Sequence, residues 1–164
     1  MKWLDAQTLD QLTEKAKQAE RLRTHFNLHE LLDEPVQRLA VAMEPGSYIR
    51  PHRHPQQEKW EFFTVLRGTL LMLIFDDDGR VEKRMELSGT GPLYGIELPP
   101  GTWHTVISLE SGSVFVEVKQ GPYTPLDAKD FAEWAPEENT PFTSRLVDEL
   151  KNIQVGEKVS FSKS

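Results

Sequence analysis

Three histidines and one glutamate have the spacing in this sequence that most clearly points to chemistry. His52 and His54 lie two residues apart in a segment typical of extended chain, so both imidazoles should point to the same face. Glu61 begins the next apolar run, and His104 follows a Pro-Gly turn at the start of a further strand. Imidazoles combined with a carboxylate suit a divalent transition metal such as Fe, Mn, Zn or Ni. We therefore expect His52, His54, Glu61 and His104 to bind one such ion.

Glu58 is the alternative to Glu61 as the carboxylate ligand. It is closer to His54 along the chain, but it precedes the apolar run and so is expected in a loop. Glu61 alternates in register with Phe63, which places Glu61 on the inward face of the predicted strand. The sequence favours Glu61 and leaves Glu58 open.

The predicted ligand set leaves room for a substrate. Three imidazoles and one carboxylate occupy four positions, so an octahedral ion keeps about two positions for water or substrate oxygens. A structural zinc site is closed and usually contains cysteine, and this chain has no cysteine. The ligand set therefore indicates a functional metal.

Polar residues near the histidines supply further candidates. Arg50 and Tyr48 are in phase with His52, and an arginine is suited to holding a carboxylate or phosphate. We predict that Arg50 binds substrate, the alternative being a surface arginine paired with a nearby acid. Glu58, Tyr48 and Lys119 are the candidates for general acid or base.

Composition and charge exclude several classes of function. The 164 residues carry a net charge of −7 with no basic cluster, which argues against nucleic acid as a partner. The sequence has no run of 18 apolar residues and no apolar stretch suited to a signal peptide. We therefore expect a cytoplasmic protein that binds a small molecule, without a membrane partner.

From Val36 onward, short β-rich runs alternate with turns that contain glycine, proline or aspartate. About eight strands at this spacing are typical of an all-β fold of the jelly-roll kind. The predicted strands are VQRLAVAM, SYIRPHRH, WEFFTVL, TLLMLIF, VEKRMEL, YGIEL, HTVISL and VFVEVK.

The segments on either side of the strands complete one predicted domain over residues 1–164. Apolar residues at steps of three and four predict an amphipathic helix over residues 5–22, within a helical N-terminal arm of residues 1–35. The predicted β-barrel covers residues 36–123, and residues 124–164 wrap around it and include one short C-terminal helix. Several strands are apolar on both faces, so the N-terminal helix or a second subunit must cover the outer faces. We predict a homodimer.

Two motifs in the chain resemble those of the cupin superfamily. Six residues lie between His54 and Glu61, whereas the superfamily usually has three or four residues there, and this longer gap is why Glu58 stays an alternative. The resembling residues are Gly46, His52, His54, Glu61 and Gly68, followed by Pro99, Gly101 and His104.

Nearly the whole chain resembles the WbuC-type cupin metalloproteins, which are found beside genes for bacterial surface polysaccharide synthesis. The resemblance implies a jelly-roll barrel with a metal at the four residues named above, and it brings Arg21, Arg23 and Asn27 towards the site as substrate-binding residues. It does not supply a reaction. From the metal ligands and Arg50 we predict a metal-dependent enzyme acting on a small polar or anionic sugar-like metabolite, with isomerisation, epimerisation and oxidation by O₂ as the alternatives. The alternative is a non-catalytic module that binds a small molecule or a metal. The resembling segments are residues 21–29, SYIRPHRH, EFFTVLRG, GTWHT, EVKQGPY and FAEWAPEE.

Overall fold

The chain folds into two antiparallel β-sheets with one helix on the outer face of each. The computed structural model describes residues 1–160. The elements are α1 (Ala6–Gln18), β1 (Arg23–Asn27), β2 (Val36–Met43), β3 (Glu61–Arg67), β4 (Thr69–Phe75), β5 (Val81–Ser88), β6 (Gly95–Leu98), β7 (Trp103–Ser108), β8 (Ser113–Gln120), a 3₁₀ helix (Ala128–Asp130) and α2 (Thr143–Asn152). One sheet has the strand order β1-β2-β8-β3-β6 and the other has the order β5-β4-β7. The sheets face each other as a jelly roll, as predicted, but they do not close into a continuous barrel.

The inner faces of the two sheets pack together as an apolar core. On β3, Val65 and Phe63 point into this core together with Phe115 of β8. They meet Met72 and Ile74 of β4 from the other sheet. Because side chains alternate along a strand, Glu61 follows Val65 and Phe63 on the same inward face. The apolar core therefore ends at a polar residue near the start of β3.

Helix α1 covers the outer face of the five-stranded sheet. Asp5 caps the helix, and its carboxylate accepts a hydrogen bond of 2.8 Å from the backbone N–H of Thr8. Leu12 and Ala16 pack on Ala40 of β2. The helix ends four residues before the predicted limit of residue 22, because the chain turns there to enter β1. The predicted helical arm thus contributes an edge strand that sequence reasoning missed.

Helix α2 covers the outer face of the three-stranded sheet. Leu146 and Leu150 pack on Leu71 and Leu73 of β4. Helices of the same chain therefore cover the apolar outer faces that had suggested a second subunit. The homodimer stays a prediction, and it now needs a different surface.

The two helices are short, with 13 residues in α1 and 10 in α2. Among the described residues, no helix is both long and apolar enough to span a bilayer. The wrapping segment predicted over residues 124–164 is described up to residue 160, and residues 161–164 lie outside the described part of the chain.

The segment SYIRPHRH was predicted as a strand but forms only a bridge centred on His52. The backbone N–H of His52 donates to the carbonyl of His104 (3.1 Å), and the N–H of His104 donates back (2.9 Å). On its other side, His52 forms a bridge to Phe131. The backbone groups of Pro51 and Arg53 face the Phe131 segment, and Pro51 and Pro55 have no N–H to donate there, so the pairing on that side cannot continue in either direction. The bridge nevertheless fixes His52 beside the edge of β7.

Candidate metal centre

Glu61 stands at the inward start of β3, at the end of the apolar core. It pairs in register with Lys119 of β8 on one side and Leu98 of β6 on the other. Only 4% of its surface is exposed. The prediction that Glu61 lies on the inward face is therefore correct.

The three histidines converge on this carboxylate from two segments. His104 lies on β7, and His52 and His54 come from the bridged segment beside it. The ring centroids of His52 and His104 are 4.5 Å apart, those of His52 and His54 are 5.3 Å apart, and those of His54 and His104 are 6.3 Å apart. The structure thus brings together all four residues that the sequence predicted as metal ligands.

Two of the imidazoles, those of His54 and His104, approach Glu61 through their Nε2 atoms. Nε2 of His54 is 3.2 Å from Oε1 of Glu61, and Nε2 of His104 is 3.2 Å from Oε2. The Nδ1 atom of His104 is 2.9 Å from the carbonyl of Thr102, and that of His52 is 3.0 Å from the carbonyl of Arg50. A carbonyl can only accept, so Nδ1 carries the proton in each neutral ring and Nε2 has a free lone pair. Backbone carbonyls orient metal-binding histidines in this way.

The charges at the site are set by burial and by mutual contact. Burial, reinforced by the neighbouring His104, lowers the pKa of His52 to about 3, so this imidazole is neutral. Burial also acts to lower the pKa of His104, but the adjacent Glu61 carboxylate outweighs it and the net pKa is raised. Burial alone would raise the pKa of Glu61, yet His104 and His54 hold it well below its usual range. Glu61 is therefore an anion whose charge the imidazoles must help to compensate.

Lys119 adds a cation to the same cluster. Its Nζ atom is 3.7 Å from Oε1 of Glu61 and 2.5 Å from Oε1 of Glu117. Burial acts to lower the pKa of Lys119, but the Glu117 and Glu61 carboxylates raise it well above its ordinary value. The two carboxylates and one ammonium leave one net negative charge when the imidazoles are neutral. A divalent ion bound at the imidazoles would more than offset this charge.

The chemistry of the His and Glu61 donor atoms and the two Nε2–oxygen distances fit a metal ion, but the donor atoms do not enclose a common position for the ion. Within residues 1–160, no group of three or more His, Asp or Glu side chains encloses an ion as the side chains stand. Neighbouring ligands about 2.1 Å from one ion are separated by about 3.0 Å in an octahedron and about 3.4 Å in a tetrahedron. Both 3.2 Å contacts to Glu61 fall in this interval. In addition, the 3.2 Å contact between the buried Nε2 of His54 and Glu61 does not have hydrogen-bond geometry, so this nitrogen lacks a partner that a metal would supply.

A pocket of about 230 Å³ opens onto the site. His52, His54 and Glu61 form its inner end. Because it is smaller than a drug-sized pocket of about 300–1,000 Å³, it suits a small metabolite. The other residues that line it are Gln37, Lys59, Trp60, Lys119, Gln120, Pro122, Tyr123, Thr124, Pro125, Leu126 and Phe131.

Of the three predicted acid or base candidates, Lys119 reaches the site. Glu58 lies in an exposed loop before β3, as the sequence indicated. The hydroxyl of Tyr48 is buried and donates to the carbonyl of Pro136 (2.9 Å). Neither Glu58 nor Tyr48 lines the pocket.

The predicted substrate-binding arginines lie outside the pocket lining. Both Nε and Nη2 of Arg50 donate to the carbonyl of Ala132, at 3.1 and 2.7 Å. Arg21 and Arg23 both bind the carboxylate of Glu138, at 2.6 and 2.7 Å from its Oε2. Asn27 is the last residue of β1, the edge strand. The structure therefore does not bring Arg50, Arg21, Arg23 or Asn27 to the metal centre.

Sequence reasoning missed four residues at the site. Gln37 and Glu117 reach it through strand pairing, since Gln37 pairs with Lys119 and Glu117 is two residues before Lys119 on the same face. Phe131 reaches it through the bridge to His52, and Lys59 lines the pocket from the loop before β3. The alternation of β8 could have indicated Glu117, but the other three depend on contacts between distant segments.

Comparison with known proteins places the chain in a family. Residues 4–87 match the family model described as Domain of unknown function (DUF6016), which is just over half of the chain. The chain belongs to the DUF6016 family. No curated protein matches the sequence of this DUF6016 member.

Solved structures with similar folds belong to several different proteins. One is BH2720 from Bacillus halodurans (17% identity, 76% of this chain and 85% of that chain covered, TM-score 0.50). Another is an oxalate oxidase in complex with the substrate analogue glycolate (19% identity, 65% and 55% covered, TM-score 0.50). A third is a cupin superfamily protein from Desulfitobacterium hafniense (12% identity, 60% and 76% covered, TM-score 0.45). At these identities the likeness concerns the fold, and this DUF6016 chain has the cupin-type jelly roll predicted from its motifs.

Proposed function

We propose that the protein is a metal-dependent enzyme acting on a small anionic, sugar-like metabolite. The observation that carries the proposal is the buried Glu61 carboxylate, whose two oxygens each lie 3.2 Å from the Nε2 atom of a histidine, His54 and His104. Together with His52, these residues would hold one divalent ion of Fe, Mn, Zn or Ni. The pocket beside them gives a substrate access to the open coordination positions.

Different residues would position the metal-binding histidines and contact the substrate. A bound ion would supply Lewis acidity by withdrawing charge from a coordinated substrate oxygen. The backbone carbonyls of Arg50 and Thr102 hold the His52 and His104 rings in place. Lys119 offers an ammonium group at the pocket wall, where it can stabilise a substrate anion.

An anionic substrate follows from the charges that line the pocket. Lys119 and Lys59 contribute ammonium groups, and a divalent ion would turn the net charge of the inner cluster positive. The oxalate oxidase that shares the fold binds glycolate, a small hydroxy acid. This likeness of fold supports a substrate of the same chemical kind. Arg50 would assist only after its guanidinium leaves the Ala132 carbonyl.

The cellular role that we propose comes from the resemblance to WbuC-type cupins. That resemblance supports a step in bacterial surface polysaccharide synthesis but supplies no reaction. Isomerisation, epimerisation and oxidation by O₂ are the reaction classes that a metal centre of this kind allows. Iron in the protein together with O₂ uptake in the presence of a sugar acid would select oxidation. Turnover without O₂ uptake would select isomerisation or epimerisation.

The test begins with metal content and then screens ligands. The wild-type protein, purified untagged and without added ions, is expected to carry close to one transition-metal ion per chain by elemental analysis. His52→Ala should lose most of this metal, whereas His25→Ala should keep it, because His25 is exposed on β1. A thermal-shift screen of sugar acids and nucleotide sugars would then identify the ligand class, since a ligand that binds only the folded protein raises its melting temperature. Equal metal content in His52→Ala and wild type would contradict the proposal.

A second candidate is a binding module without catalysis. It is favoured by one observation: Lys119 is paired with two carboxylates, while Glu58 and Tyr48 stand away from the pocket. Incubation of the metal-loaded protein with each ligand found in the screen, followed by NMR of the ligand, separates the two candidates. An unchanged ligand that still binds would support the binding module.

A further inference from the structure

Three polar residues form a row across the five-stranded sheet at the pocket wall. Gln37 of β2 pairs with Lys119 of β8, and Lys119 pairs with Glu61 of β3. Residues paired in this way point to the same face of a sheet. All three residues line the pocket. The row therefore runs from the candidate metal centre, through a cation, to a neutral amide.

The amide of Gln37 can face the pocket with only one of its two ends. Its Nε2 atom donates to the carbonyls of Leu32 (3.2 Å) and Glu34 (3.0 Å), which uses both amide hydrogens. Because both partners can only accept, the amide cannot be flipped without losing both bonds. Only 2% of the residue's surface is exposed, so the side chain is held rigidly.

The carbonyl oxygen Oε1 of Gln37 is left as an unused acceptor. None of the described residues donates a hydrogen bond to it, and it is not a fully enclosed atom. An acceptor in a fixed position at a pocket wall is complementary to a donor on a neutral ligand group, and a hydroxyl is the donor that a sugar-like metabolite carries. A carboxylate at the same place would be repelled, because Oε1 has no proton to give.

We propose that Gln37 binds a hydroxyl group of the ligand and makes the pocket selective for hydroxy acids over the corresponding acids without the hydroxyl. This inference rests on the proposed function, because the acid group of the ligand is taken to bind at the metal centre and Lys119. The two ends of the row are separated by two strand spacings of about 4.8 Å each, or about 10 Å. A hydroxyl several carbon atoms from the carboxylate spans this distance.

Pairs of acids that differ by one terminal hydroxyl test the inference directly. We would use 4-hydroxybutanoate, 5-hydroxypentanoate and 6-hydroxyhexanoate, each against its parent acid, with the metal-loaded protein in titration calorimetry. In the wild type, the hydroxyl of the best-fitting member should strengthen binding by roughly 2- to 12-fold, the range of one hydrogen bond. In Gln37→Met, which keeps the length of the side chain, this ratio should fall to about one while the parent acid binds as before.

Two further variants keep the result interpretable. Lys119→Met should weaken both members of a pair equally and leave the hydroxyl ratio intact, since Lys119 is assigned to the acid group. Gln154→Met makes the same chemical change outside the pocket and should leave both affinities at the wild-type value. Because Gln37→Met loses two hydrogen bonds to backbone carbonyls, its melting curve must show a folded protein. If it does not, the comparison of each hydroxy acid with its parent acid on the wild type decides the test.

The outcomes separate this inference from the function on which it rests. Acids that bind the wild type without any gain from a hydroxyl, or a gain that survives in Gln37→Met, overturn the role of Gln37 and leave the anionic substrate standing. If no acid of either kind binds the metal-loaded wild type, both the role of Gln37 and the proposed substrate class are wrong.

Discussion

Replacing Glu61 by glutamine isolates the charge at the centre of the site. The substitution keeps the volume and shape of a residue that is 4% exposed, so it leaves no cavity. It removes one of two carboxylates and leaves Glu117 to pair with Lys119 alone. A divalent ion at the histidines would then keep its full charge uncompensated. We expect metal affinity to fall by at least about 100-fold, the upper end of what a lost outer-sphere partner costs.

This loss converts into a temperature that can be measured. An ion at a concentration 100 times its Kd stabilises the folded wild type by about 2.7 kcal/mol. For a chain of this length, that energy raises Tm by about 5–11 °C. In Glu61→Gln the same ion concentration is at or below Kd, so the stabilisation falls to about 0.4 kcal/mol or less and the shift to under about 2 °C. Differential scanning fluorimetry after EDTA treatment, with Mn²⁺, Ni²⁺ or Zn²⁺ added back, gives both values.

Glu58→Gln is the matched control, because it makes the same change at the alternative carboxylate. Glu58 lies in an exposed loop and should keep the full wild-type shift. A full shift in Glu61→Gln, with the shift lost in Glu58→Gln, would refute the assignment of the carboxylate ligand. A wild type that shows no shift with any of these ions would refute the metal centre itself.

Further predictions concern the fold and the oligomeric state. Leu150→Ala should lower the free energy of unfolding by about 2–5 kcal/mol, because Leu150 is fully buried between α2 and the three-stranded sheet. Urea titrations measure this change, and a loss below about 1 kcal/mol would contradict the packing. Gly68→Ala should lower the free energy of unfolding more than Gly112→Ala does. Both glycines have a positive φ, so both substitutions strain the backbone. A Cβ at Gly68 would also lie 3.0 Å from the backbone of Ser113, whereas the space at Gly112 is open. Equal losses would argue against that close contact. Small-angle scattering at micromolar concentration should give twice the mass of the chain, and a monomeric mass would contradict the homodimer.

The candidate ligands could be predicted from the sequence because their placement depends on local regularities. Glu61 faces inward because side chains alternate along a strand, and β3 is regular over its first five residues. His104 is placed by the turn before β7, which ends at Gly101. The seven observed strands that were predicted follow from the same alternation and from turn residues between them.

The positions of the other residues near the site depend on contacts between segments that are distant in sequence, and local sequence patterns do not predict such contacts. Arg50 was expected to share a face with His52, but Pro51 interrupts the strand and the guanidinium turns to the Ala132 carbonyl. Gln37 reaches the pocket because β2 lies beside β8, a pairing between residues about 80 positions apart. β1 was missed because its five residues are too few and too polar to stand out as a strand.

The bridge that holds His52 has a consequence for the order in which the protein is made. Its two partners, on β7 and at Phe131, are synthesised long after His52 itself. A ribosome that has released the chain through β6 has already exposed His52, His54 and Glu61, yet the scaffold that orients His52 is still missing. Assembly of the candidate centre therefore waits for translation to pass residue 131, since only then are both backbone partners of His52 available.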